Sequence, residues 1–145
     1  MSCAMSRDER EQFLAQPHVG VLSVIDRGAP LTVPIWYGYR PGGPVTVITG
    51  RKSRKVQAIR AANRLSLCVQ HDAWPYQYVT ASGPAAITGP ASYADQLAMA
   101  VRYLGEAGAK KYMASVTSSG EADEQIMVEM TPQTWLSADY RKLES

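Results

Sequence analysis

Histidine and cysteine are scarce in this sequence. With two of each in 145 residues, there is little from which to build a metal centre, and Cys3 and Cys68 lack the paired spacing a zinc site needs. His18 and His71 lie far apart next to strand ends and read as surface residues without a shared ligand. Both cysteines read as free thiols in a reducing compartment. No apolar run approaches the roughly 18 residues of a membrane span. The N-terminus carries Ser6, Arg7, Asp8 and Glu9 where a secretion signal would be apolar. The expectation is a cytoplasmic protein with no membrane partner. A formal net charge of +2 is too small for a general nucleic-acid binder, so any basic signal must be local.

A chain of 145 residues, 46% hydrophobic and 19% charged, is sized for one globular domain over 1–145. Ser6 to Gln16 opens with a cap residue and first-turn acids and reads as a short helix stopped by Pro17. VGVLSVI, the turn Asp26-Arg27-Gly28 and PLTVPIWYGY read as a hairpin. VTVIT from Val45 to Thr49 adds a third strand after the Pro41-Gly42-Gly43-Pro44 turn. Between Ser53 and Asn63 the period becomes helical, with Val56, Ile59 and Ala62 on one side and Asn63 as C-cap.

LSLCVQ and YQYVTASGPAAIT read as two further strands, the second able to bend at Gly83-Pro84. Ser92 to Ser115 reads as two short helices with a break near Gly105 to Gly108, and with Leu97, Ala100, Val101 and Leu104 on one face. QIMVEM and TWLSADY close the chain as strands. Hairpins interrupted by helices predict a mainly β, α+β fold: a small barrel of about six to seven antiparallel strands with three or four flanking helices, and no Rossmann sheet.

One stretch goes against ordinary helix chemistry. In ITGRKSRKVQAI a strand ends at Thr49-Gly50, and Arg51, Lys52, Arg54 and Lys55 crowd the first turn of the following helix. That end carries unpaired N–H groups and partial positive charge, so cations there are unfavourable unless an anion joins them. A bound phosphate removes the conflict: Ser53 can cap the helix or bond the anion, and Gly50 permits close approach to the backbone. A solvated basic turn is the competing reading, and the segment alone leaves both open. Tyr37, Tyr39, Trp74, Tyr76 and Tyr78 are open to either core or pocket roles. Asp139 reads as an exposed turn carboxylate.

With these elements in place, the sequence resembles the pyridoxamine 5′-phosphate oxidase-like superfamily of FMN-binding split barrels over about Arg7 to Leu143. Thr49, a short gap and Ser53-Arg54-Lys55 at a helix start are the most specific part of the likeness. The resemblance implies that Thr49, Ser53, Arg54 and Lys55 are phosphate ligands; the helix-start reading adds Gly50, Arg51 and Lys52 to the cofactor site, the last two exceeding what a single phosphate requires. Backbone groups of Thr32, Val33, Pro34 and Ile35 would lie along the ring, and Gln77 would reach it from a later strand. It also implies a homodimer with the cofactor between subunits. No triad is expected, since the cofactor carries the chemistry.

The departures are informative. Leu31 to Trp36 is uncharged, and Tyr140-Arg141-Lys142 contains no histidine, which argues against vitamin oxidation. PLTVPIW and SADYRKL look more like the branch using coenzyme F420. The function implied is reduction of a small unsaturated compound by F420H2. The alternatives are an FMN-dependent oxidoreductase and a noncatalytic protein binding flavin, F420 or haem.

Overall fold

The computed structural model describes residues 2–144. The elements follow in the order α1 (Arg7–Ala15), β1 (Gly20–Asp26), β2 (Ala29–Ile35), β3 (Gly38–Tyr39), β4 (Val45–Gly50), α2 (Arg54–Ala62), β5 (Arg64–His71), β6 (Gln77–Pro90), α3 (Tyr93–Ser118), β7 (Gln125–Met130) and β8 (Thr134–Asp139). Short 3₁₀ turns at Glu121–Glu124 and Tyr140–Glu144 precede β7 and follow β8.

All strand pairs are antiparallel, in the order β2-β1-β5-β6-β7-β4-β3, with β8 also paired to β6. The path leaves β2 and β3 as unpaired edges, so the barrel is split as expected. Pro34 can sit in β2 because an edge strand needs only one row of ladder bonds. The hairpin turn bends through positive φ at Arg27 and Gly28.

β6 makes the split. Its first half, Gln77 to Ser82, pairs with β8, and Ala85 to Pro90 pairs with β7. Gly83 marks the change of partner: a Cβ there would collide with the Thr131 carbonyl. The core lies inside the curved sheet, where alternate residues meet: Val45 and Val47 of β4, Leu65, Leu67 and Val69 of β5, and Val128 of β7. α2 adds Val56, Ala58 and Ile59 to it and ends at Asn63 in the left-handed conformation (φ 55°).

Several expectations need correction. The strand expected through PLTVPIWYGY breaks at Trp36-Tyr37, which yields eight strands. The Tyr103 hydroxyl of α3 accepts the Tyr37 N–H (3.0 Å) and donates to the His18 carbonyl (2.7 Å), with the Tyr37 carbonyl 3.1 Å away, while Trp36 stacks on the Tyr103 ring at 5.0 Å. α3 does break at Gly105 (φ 73°), but Leu104 turns outward, and Gln96, Ala100, Ala109 and Met113 form the buried line. His18 is half-buried, stacked on Phe13 at 4.4 Å. Burial holds its imidazole below the ordinary value. Asp139 is buried, its carboxylate gripped by Arg141 at 2.7 to 3.1 Å, and the hydrogen bonds from Arg141 lower its pKa.

Candidate cofactor site

β4 delivers the chain to the site. Thr49, buried on the same face as Val45 and Val47, is the last inward side chain before the turn. The turn is pinned at two points: the Arg51 N–H donates to the Glu124 carbonyl at 2.8 Å, and the Ser53 N–H donates to the Gly50 carbonyl at 3.0 Å. Nothing in the chain itself demands glycine at 50, since a Cβ there meets nothing nearer than Gln125 Nε2 at 3.9 Å. Ser53 then takes the N-cap position with φ −70° and ψ 153°.

The cap is incomplete. The Ser53 side chain accepts no hydrogen bond from the first turn, and its Oγ is buried without a partner among the described residues. Such a hydroxyl is costly unless something outside the chain engages it. The first-turn N–H groups of a helix lack intrahelical acceptors and are suited to an anion.

The four cations are not alike, and the crowding inferred from sequence is largely resolved within the chain. Arg51 pairs with Glu124 (Nε to Oε2, 2.8 Å), and Lys52 lies 3.8 Å from the same carboxylate. The mutual hydrogen bond raises the Arg51 pKa and lowers that of Glu124. Arg54 is held by Asp26 at the end of β1 (2.6 Å), which ties α2 to the hairpin. Lys55 is half-buried with no ion pair among the described residues, and burial depresses its pKa. Among the described residues Ser53 Oγ thus has no hydrogen-bond partner and Lys55 no ion pair, and both stand at the start of the same helix. Glu124 and Asp26 were missed in the sequence because they lie 73 and 28 residues from the arginines they hold.

The remaining candidates are distributed more widely. Thr32 and Pro34 of β2 are exposed, whereas Val33 and Ile35 pack toward the core. Gln77 opens β6, opposite Asp139, beside a cleft shared with Arg141 and Glu9. The cradle instead lies beyond the other end of β6, where Pro90 pairs with Ile126 and Gly50 with Gln125. Within one chain the site therefore unites residues 49–55 and leaves Gln77 at the opposite end of a 14-residue strand. Among the described residues no cluster of three or more His, Cys, Asp or Glu can hold a metal, and no helix is long and apolar enough to cross a membrane.

A family model described as pyridoxamine 5′-phosphate oxidase matches residues 6–138. The chain belongs to this family. Comparison with curated proteins gives no significant match. Among solved structures, a conserved hypothetical protein from Mycobacterium tuberculosis superimposes with TM-score 0.78 at 23% identity, covering 99% of this chain and 91% of that one. An F420 reductase does so with TM-score 0.69 at 21% identity, over 87% of this chain and 94% of that one. An FAD-binding protein from Mesorhizobium loti gives 0.62 at 17%, with 92% of each chain covered. These likenesses show the split-barrel fold.

Proposed function

We propose that this family member is an oxidoreductase that uses F420H2 to reduce a small unsaturated compound, with the cofactor phosphate held at Ser53 and Lys55. One observation carries the reading: a buried Ser53 Oγ without a partner among the described residues caps a helix start two residues before Lys55, which has no ion pair among those residues. A phosphate oxygen satisfies both groups and the first-turn N–H donors together. The bound, reduced deazaflavin supplies the hydride. Thr49 and Gly50 would bound the phosphate pocket, and backbone groups of Thr32 to Ile35 would line the ring.

F420 is favoured over FMN by what surrounds the cradle. Its tail carries carboxylates beyond the phosphodiester, and Arg51 and Lys52 lie next to the site on the exposed surface, held by one shared carboxylate. Leu31 to Trp36 offers no charge. FMN is the second reading, favoured by the family match itself, because a phosphomonoester also suits Ser53 and Lys55.

We further propose a homodimer in which Gln77 of a second copy reaches the cofactor held by the first, since one copy keeps Gln77 away from its own cradle. The outer sheet face supports this. Two rows cross it without a charge: Pro34, Val21, Cys68, Thr80 and Leu136, then Thr32, Ser23, Ser66, Ser82 and Thr134. Val21 is 37% and Leu136 62% exposed, which suits an isologous interface. Light scattering is expected to give a dimer that Val21→Glu with Leu136→Glu dissociates; a monomeric parent overturns the assembly.

The function is tested by parallel titration of cofactor-free protein with F420 and FMN at low and moderate salt, followed by F420H2 oxidation with unsaturated acceptors. Tighter F420 binding, weakened by salt, and acceptor-dependent oxidation are expected. Equal or tighter FMN binding moves the assignment to FMN, and a Soret band in the purified protein moves it to haem.

A further inference from the structure

A second cavity, of about 510 Å³, lies between α3 and the outer face of β3, β4 and β7. Its floor is Thr46, Ile48 and Met127, the half-buried alternates of residues that fill the core from the other side. Met99 and Arg102 of α3 close it from above. Methionines give such a site a polarizable, adaptable surface suited to an apolar body of imprecise shape.

The charges are not balanced inside the chain. The Arg102 guanidinium is positioned by a bond from Nη2 to the Gln16 carbonyl (3.1 Å) and by the rings of Tyr37 and Tyr103, 5.3 and 5.7 Å away. Its Nε is buried and unpartnered. Arg40, also at the cavity, is exposed and has no ion pair among the described residues. The one acid in the lining, Asp95, is committed to the α3 cap, where its Oδ2 accepts the Ser92 N–H at 3.0 Å. Two guanidinium groups beside an apolar floor complement a single negative charge on an apolar body. A polyanion would leave most of its charge over Ile48, Met99 and Met127.

We infer that this groove binds a small amphipathic carboxylate, its acid group on Arg102 and Arg40 and its apolar body along Met99, Ile48 and Met127. The site is separate from the cofactor cradle: β4 presents Thr46 and Ile48 to the groove, and its end at Thr49 and Gly50 to the phosphate. It does not rest on the oxidoreductase reading.

Calorimetric titration of the full-length, cofactor-free protein with octanoate, octanol and octylamine tests it. Octanoate is expected to bind once per chain, with octanol and octylamine weaker by roughly tenfold or more, the weight of one charge-assisted contact. Arg102→Gln is expected to remove that preference and Arg102→Lys to restore part of it. Because Arg102 also holds the end of α1, Ala98→Trp, at an exposed helical position lining the groove, gives a second test by filling it. Lys55→Ala is expected to leave octanoate binding unchanged, so failure here and failure of the cofactor site are distinguishable. Absence of saturable octanoate binding, equal affinity for octylamine, or binding indifferent to Ala98→Trp overturns the inference.

Discussion

All three α-helices among the described residues begin at a serine, and two of those serines do the same work. At α1, Ser6 Oγ accepts the Glu9 N–H (3.2 Å) while the Glu9 carboxylate accepts the Ser6 N–H (2.7 Å). At α3, Ser92 and Asp95 repeat the exchange at 3.0 Å in both directions. At α2 the position three residues on is Val56, fully buried in the core, and Ser53 Oγ has no partner among the described residues. The fold spends the α2 position on packing and leaves the helix start unsatisfied. A closed capping box stabilises a helix; an open one with a lysine beside it is suited to receive an anion.

The largest expected effect separates these uses. Lys55→Ala should weaken F420 binding by roughly ten- to 150-fold, the range of a charge-assisted contact, with little change in melting temperature. An equilibrium titration with parent-like affinity would make α2 an ordinary basic turn. Next come the serines themselves. In chemical denaturation Ser92→Ala should cost about 1 kcal/mol, as lost caps do, whereas Ser53→Ala should stay within about 0.5 kcal/mol. If Ser53→Ala costs as much as Ser92→Ala, the distinction between the helix starts collapses.

Glu124→Gln sharpens the comparison from outside the helix. It releases Arg51 and Lys52, so F420 affinity should rise a few-fold at low salt, fading at moderate salt, with FMN affinity unaffected. An equal rise for FMN would mean that these cations serve the phosphate and not the tail. The smallest effect lies just beyond α1. Burial, with Arg102 and His71 nearby, disfavours the charged form of His18, while its bond to the Phe13 carbonyl favours it. The unfolded chain therefore binds the proton more readily, so stability is fullest above pH 6.5 and declines as pH falls through that value. His18→Gln should flatten the decline between about pH 7 and 5.5, before the carboxylates titrate. An unchanged slope would remove His18 from the account.

Much of this was legible locally. SRDE and SYAD announce capping boxes and SRKV does not; Asn63 and Asp26-Arg27-Gly28 mark a helix end and a hairpin by their tolerance of left-handed backbone. The break in α3 was visible as a region, Gly105 to Gly108, and falls at Gly105. What escaped depends on partners distant in sequence. Tyr103 interrupts the second strand from 66 residues away. Glu124 and Asp26 neutralise three of the four cations that had appeared unopposed. Asp139 is buried by the sheet that β8 joins, which no local pattern around it foretells.

Phosphorus NMR of the protein with bound F420 tests the central claim most directly. The account predicts that the phosphodiester resonance moves from its free position on binding and returns most of the way in Ser53→Ala with Lys55→Ala, while Ser92→Ala leaves the shift intact. A resonance that stays at its free position while the chromophore is bound, or a shift indifferent to both substitutions at α2, would place the phosphate elsewhere and contradict the account.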